Sequence, residues 1–542
     1  MPRLPYLPWS ERWWTRMFDA GIKYVRIGQY EDTSDQVGWD WVEQKKGQFR
    51  LGSKIDDYVN SLVENGTTIE FQVLYGNPIY TSQAGILPST TVPTISSIRN
   101  GDRGLYSIFW PPTKPEQVAA FLRYTKFLVN HFRGRVRYYS LWNEEDINYW
   151  NPYPNPQDYG HLLAAFIKTV HDTDPDAKIV SGGLAERSPD FARKVLDACE
   201  CAGDLDVFAY HIYPGGFSSN TPPEQMDSEA QGNHTTVALR DAVRAYPGVR
   251  KDLQFWNDEY NSVTGYIPEM DESIQAKYVS RAIIYNWAEH IPTFVWELIN
   301  DTNTGEGNDF GIINGKMLRP SDFQPKPVYY AIERTNALFG DTVRDPDIEL
   351  KPKGAADDAP FFAYGFKSRT GKSIVAYWRA ARILPGHGSP SISMEVSLRN
   401  SGIVHPVLID LDSDTVSPIT WESESEHVLR VPVRDSLMAI ADATYFDWAV
   451  LPEIPGGLTA KQSGAIVDLK WQTELSGATS IVVEGRLPQS SRWVGLARQP
   501  GNSSSYEVRD SKFLNHASFR IHASNQAGRS GDSNVAYVDA SE

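Results

Sequence analysis

Two short stretches of this 542-residue chain carry acidic groups in a setting suited to chemistry: Ser140-Leu-Trp-Asn-Glu-Glu145 and Phe255-Trp-Asn-Asp-Glu-Tyr-Asn261. Each ends an apolar run and places a glutamate shortly after a Trp-Asn pair. A lone glutamate at the end of such a run is ordinarily a solvated carboxylate; two of them, in matching settings, point to a working pair. Facing carboxyls can cleave an acetal. One holds a proton for the leaving oxygen, and the other, ionised, attacks the anomeric carbon. Each position has a rival, since Glu145 follows Glu144 and Asp258 precedes Glu259. Adjacent strand residues point to opposite sides, so one of each pair is expected to face inward.

Those stretches need a scaffold that brings them together. The first 340 residues alternate short β-rich runs with longer amphipathic ones, the pattern of βα units and a parallel sheet. Eight runs read as strands: Lys23–Gly28, Trp39–Glu43, Thr68–Leu74, Val136–Trp142, Lys178–Gly182, Asp206–His211, Leu253–Trp256 and Thr293–Leu298. Helical spacing lies between several of them, over Pro115–Phe132, Tyr159–Thr173 and Ile274–His290. Eight such units predict a (β/α)₈ TIM barrel, whose functional residues sit at the C-terminal ends of the strands. The two glutamates end the fourth and seventh runs, so they would face each other across the barrel mouth.

After about Gly340 the helical period disappears. Runs such as Phe361–Phe366, Ser373–Trp378, Val407–Leu411 and His427–Val433 read as antiparallel strands, predicting a β-sandwich over 341–452. Leu451–Gly457 looks like a linker into a last unit over 453–542. There Ile466–Trp471, Thr479–Gly485, Phe519–Ala523 and Asn534–Val538 resemble the strands of a fibronectin type III module, a packing or linking unit.

Composition narrows the classes of partner. A formal net charge of −16 and the absence of any Lys/Arg-rich run speak against nucleic acid. No apolar run is long enough to span a bilayer. The 16 Trp and 27 Tyr suit either stacking on sugar rings or a core rich in aromatics. Cys199 and Cys201 lack the second ligand pair of a zinc site and read as thiols at a helix end. The N-terminus is not a signal peptide. A secreted or periplasmic location is expected only if one was removed, and a cytoplasmic one otherwise.

Five stretches together resemble clan A of the glycoside hydrolases, and within it family 39, the β-xylosidase and α-L-iduronidase family. They are Val25-Arg26, Leu141-Trp-Asn-Glu-Glu145, His211-Ile-Tyr213, Asn257-Asp-Glu-Tyr260 and Lys326-Pro-Val-Tyr-Tyr330. The order barrel, sandwich, fibronectin-like module also resembles α-L-iduronidase. The resemblance implies Glu144 as acid/base, Glu259 as nucleophile of a retaining double displacement, and Asn143 on the hydroxyl next to the reacting carbon. It places His211 and Tyr213 on substrate hydroxyls. Physics adds that Arg26 and Tyr213 could hold Glu259 ionised, while a second carboxylate nearby keeps Glu144 protonated. Trp296 is the candidate aromatic platform beneath the sugar.

The catalytic pair suits any equatorial glycosidic bond, β-D or the equivalent α-L. A uronic acid needs a cation for its carboxylate, yet Ile212-Tyr-Pro-Gly-Gly216 offers none, and Arg319 is the sole substitute. A neutral substrate such as a β-xyloside or β-glucoside is therefore expected, with Tyr80–Phe109 walling the pocket for exo-action. The alternatives are an iduronidase-like enzyme, an endo-glycanase, or a non-catalytic carbohydrate-binding protein. Asn300–Gly315 is acidic but lacks calcium-loop spacing and reads as a rim loop, so no metal or cofactor is expected.

Overall fold

The computed structural model describes residues 15–28, 37–81, 108–227, 234–299, 309–314, 324–353, 360–385, 391–445, 452–472, 475, 477–487, 493–525 and 528–538. Arg319 and most of Tyr80–Phe109 and Asn300–Gly315 lie outside these residues.

Seven parallel strands form one sheet in chain order: β1 (Tyr24–Ile27), β2 (Thr68–Val73), β3 (Tyr138–Leu141), β4 (Lys178–Val180), β5 (Val207–Ile212), β6 (Gln254–Tyr260) and β7 (Thr293–Val295). The sheet curls into a TIM-like near-barrel. Its first and last strands approach closely enough for Tyr24 to meet Phe294 edge-on at 5.7 Å between ring centres. Strand residues are buried on both faces because helices cover the outside while side chains fill the inside, as all-parallel sheets require. The flanking helices include Pro115–Phe132, Pro156–Thr173, Glu272–Trp287 and Pro327–Phe339.

The second of the eight strands expected from the sequence, Trp39–Glu43, is a short helix over Trp39–Val42. Only Trp39-Asp40-Trp41 alternates in polarity, and what is buried is Trp39, Asp40, Val42 and Glu43, a helical spacing. Asn77 settles the turn by donating to the carbonyls of Trp39 (3.2 Å) and Glu43 (2.8 Å). The buried Glu43 carboxylate is satisfied by Trp39 Nε1, the Gly47 amide and the Tyr80 hydroxyl. Cys199 and Cys201, expected as thiols, are joined in a disulfide. A pair two residues apart cannot staple distant segments. The left-handed turn at Glu200 (φ 51°) nevertheless reverses the chain between them.

Beyond the barrel, a six-stranded and a four-stranded antiparallel sheet face each other across a core that includes Val375, Tyr377, Val396, Leu429 and Val431. The outer face of the larger sheet is buried too. Phe366, Ile374, Ala376 and Trp378 pack on Ile284, Ala288 and Phe339 of the barrel helices. This seam also carries charge. Arg281, fully buried, pairs with Glu224 and donates to the carbonyls of Ala381 and Asp435, while Trp378 Nε1 donates to Glu224 at 2.6 Å. The C-terminal residues form two smaller antiparallel sheets around Val467, Leu469, Ile481, Phe519 and Ile521. They meet the barrel through ions: Asp532 pairs with Arg16, Arg520 and Arg529, and Arg529 reaches Asp19.

Candidate active site

Every side chain of the candidate site comes from the C-terminal end of a sheet strand or the turn just after it. Arg26, next to last in β1, reaches into the barrel. It pairs with Glu259 through Nη2, while Nη1 approaches His211 Nε2 at 3.0 Å, Asn143 Oδ1 at 3.3 Å and Asp258 at 3.5 Å. The Tyr213 hydroxyl donates to the other Glu259 oxygen at 2.5 Å. His211 Nδ1 lies 2.8 Å from Glu144 and 3.6 Å from Glu259. One carboxylate oxygen from each glutamate and a ring nitrogen of His211 lie within 4.8 Å of one another. The structure thus brings Arg26, Asn143, Glu144, His211, Tyr213 and Glu259 into one cluster. Trp296 sits beside it, its ring 5.6 Å from the Arg26 guanidinium.

The alternation argument used to choose between neighbours fails at β6. The pairing of β5 with β6 runs Tyr210 to Asn257 and then His211 to Glu259, skipping Asp258. This bulge turns Asp258 inward beside Glu259, 3.6 Å from His211 Nε2 and 1% exposed. At the other stretch, β3 ends at Leu141, and Trp142 and Glu144 adopt left-handed φ (69° and 51°), so no strand alternation applies there. Glu144 faces His211. Glu145 turns away into a buried pocket against Gly182, where burial and the Asp146 charge push its carboxyl well above the usual range.

The two principal carboxyls are driven apart. Burial raises the Glu144 pKa and the Glu259 charge adds to this, outweighing the contact with His211. Burial also acts on Glu259, but His211, Arg26 and the Tyr213 hydroxyl overcome it and hold that carboxyl below its ordinary value. His211 is itself pulled upward, against burial, by Glu259, Asp258 and Glu144. Beneath the cluster, Glu70 on β2 is buried and pushed up to about 8 by desolvation and by Asp258.

Several contributors were not legible as site residues. Gln72 donates to Asn143 Oδ1 at 3.2 Å, leaving the buried Asn143 Nδ2 without a protein partner. Gly183 matters by its size, since a Cβ there would overlap the His211 ring. Asn261, two residues past Glu259, donates to the carbonyls of both Trp296 and Phe310 and accepts from Gln275. A hint of such roles lay in the sequence only as polar residues on apolar strands.

Glu144, His211 and Glu259 are spaced as metal ligands could be. The Arg26 guanidinium already brings a fixed positive charge to Glu259 and His211, so these groups have no need of a second cation. Glu484, His522 and Asp532 are spaced similarly, but Arg520 pairs with both carboxylates there.

No protein-family model matches the chain, and no curated protein does. Solved structures do. A family 39 glycoside hydrolase from the gut symbiont Bacteroides cellulosilyticus WH2 superposes with a TM-score of 0.58 at 19% identity, over 81% of this chain and 79% of that one. A family 39 enzyme from Xanthomonas axonopodis pv. citri gives 0.51 at 13% identity, over 80% and 91%. An α-L-arabinofuranosidase from Thermotoga maritima gives 0.51 at 12% identity, over 81% and 92%. The chain therefore has the fold of these glycoside hydrolases, family 39 among them.

Proposed function

We propose that this protein is a retaining glycoside hydrolase of the family 39 type, with Glu144 as acid/base and Glu259 as nucleophile. One observation carries the reading. Two buried carboxyls have oxygens within 4.8 Å of each other, one driven toward the protonated state and the other toward the ionised state. Retaining enzymes hold their carboxyls about 5–5.5 Å apart, whereas inverting enzymes leave about 6.5–9.5 Å for a water.

In the first step Glu259 attacks the anomeric carbon as Glu144 protonates the glycosidic oxygen. The carbon–oxygen bond breaks, the alcohol departs, and a glycosyl ester forms on Glu259. Esterification removes the negative charge that helped keep Glu144 protonated, and Glu144 is now ionised. A water then gives its proton to Glu144 and attacks the same carbon, and the ester bond breaks to regenerate Glu259. Asn143 takes the hydroxyl beside the reacting carbon and Trp296 the face of the ring, a reading supported by their position around Arg26 next to the pair. Residues 1–340 form the catalytic unit; 341–452 and the fibronectin type III-like 453–542 are packing units.

A neutral glycone such as xylose or glucose, removed by exo-action, fits a site whose fixed cation is already committed to Glu259. An iduronide or an internal polymer linkage is the second choice. The test is the configuration of the first-formed sugar by NMR, together with azide rescue of Glu144→Ala. Retention, with a glycosyl azide of retained configuration, supports the assignment. Inversion, or the absence of turnover on any aryl glycoside or polymer, refutes it and favours a carbohydrate-binding protein.

A further inference from the structure

Four aromatic rings form a continuous wall that begins at the candidate nucleophile and ends in solvent. Tyr213, bonded to Glu259, meets Phe217 edge-on at 4.7 Å and Phe310 at 6.0 Å. Phe217 in turn touches Phe310 at 5.3 Å and Tyr266 at 5.7 Å. Phe310 is buried, but Phe217 is 41% and Tyr266 37% exposed. Single exposed aromatics are commonplace on protein surfaces. Two in contact, continuous with a buried reactive pair, are not.

The backbone is built to hold this wall. Gly215 and Gly216 both take positive φ (70° and 81°), and the Gly216 amide bonds the Tyr213 carbonyl, folding Phe217 back onto the Tyr213 ring. Asn220 anchors the far end of that loop through Ile383 (2.7 Å), Glu269 (2.8 Å) and the Tyr278 hydroxyl (2.7 Å). Tyr266 follows Gly265, whose positive φ (87°) and missing Cβ admit the Asp309 side chain. Thr264 bridges to Asp309, and Asn261 fixes the Phe310 carbonyl. The wall is thus braced from β5, β6 and the segment after β7.

We propose that Phe217 and Tyr266, backed by Phe310, form the leaving-group subsite, and that the substrate carries an uncharged leaving group with a flat apolar face. This rests on the glycosidase reading above. The groups able to read sugar hydroxyls, Asn143 with Gln72 behind it, stand with Arg26 at the ends of β1 to β3, and Trp296, just after β7, lies against Arg26. The wall begins instead at the Glu259 oxygen that Arg26 leaves free, the one bonded by Tyr213. Its innermost polar atom, the Tyr213 hydroxyl, is already given to Glu259. It therefore offers ring surface, which suits a sugar's C–H face or an aryl group and gives little to an alkyl or ionic one.

The experiment compares Phe217→Ala and Tyr266→Ala with the unsubstituted protein on four substrates sharing the preferred glycone: a fluoride, a methyl glycoside, an aryl glycoside and a disaccharide. Fluoride leaves without touching any aglycone site. The expected result is a KM raised about 3- to 10-fold per lost ring on the aryl glycoside or the disaccharide, with fluoride and methyl glycoside within twofold. Whichever of the two loses more identifies the natural leaving group. Phe217→Tyr should restore the loss. An equal fall on fluoride would place the wall on the glycone side, and no change on any substrate would show the wall unused; either overturns the proposal. Turnover of none of the four by the unsubstituted protein would instead remove the glycosidase reading itself, and this proposal with it.

Discussion

Replacing Tyr213 by Phe removes one hydroxyl and leaves a ring that still fits against Phe217 and Phe310. The lost group is a 2.5 Å hydrogen bond to a buried carboxylate. Hydrogen bonds to charged groups are worth about 1.5–3 kcal/mol, and each pKa unit is about 1.4 kcal/mol. The donor stabilises the ionised form, so its removal should raise the Glu259 pKa by about 1–2 units. Arg26 and His211 remain and keep the shift from being larger. In kcat/KM against pH, the acid limb reports the group that must be ionised and the basic limb the group that must be protonated. The acid midpoint of Tyr213→Phe should therefore move upward by about 1–2 units, while the basic limb, set by Glu144, moves little. Activity lost at all pH values with an unmoved acid limb would show that Tyr213 does not hold Glu259 ionised.

Other substitutions probe the surrounding contacts. Gly183→Ala drives a methyl into the His211 ring, and His211 lowers the pKa of both glutamates. Both limbs should therefore shift to higher pH, and kcat/KM should fall by at least about tenfold for loss of a positioned group. Asp258→Asn removes a charge that raises the His211 pKa, so an NMR titration of that ring should show a lower midpoint. Asp532→Asn leaves Arg16, Arg520 and Arg529 without their shared carboxylate. Breaking a buried pair costs on the order of 3–5 kcal/mol, visible in calorimetry as a lower or split unfolding transition. Burial opposes ionisation of Asp532, but the three arginines overcome it and hold the carboxyl far below its ordinary value. Its stabilising contribution is therefore present in full above the unfolded value of about 3.9 and is lost only as pH falls below that.

The site was legible where its signal was local. Glu144 and Glu259 each ride on a short motif, and the periodicity of the parallel strands places both at one end of the sheet. Asp258 was not legible, because alternation assumes a regular ladder and the bulge is set by the β5 register. Trp39–Glu43 misled because a five-residue window fits period two as readily as one helical turn; the deciding contact, Asn77, lies over thirty residues away. Gly183 and Asn261 act through close packing and carbonyls that only the assembled barrel brings near. The wall from Tyr213 to Tyr266 joins three separate loops, and nothing in any one of them signals the others.

Arg281 sits on a barrel helix, yet its guanidinium is completed by carbonyls of Ala381 and Asp435, and Asn220 fastens the Phe217 loop to Ile383. A gene fragment ending near residue 340 would strip these partners away. It would leave a buried cation half-solvated and the rim of the pocket untied. Moving the barrel onto a different partner unit is thereby restricted. Any replacement would have to reproduce two backbone carbonyls at the helix and one at the loop.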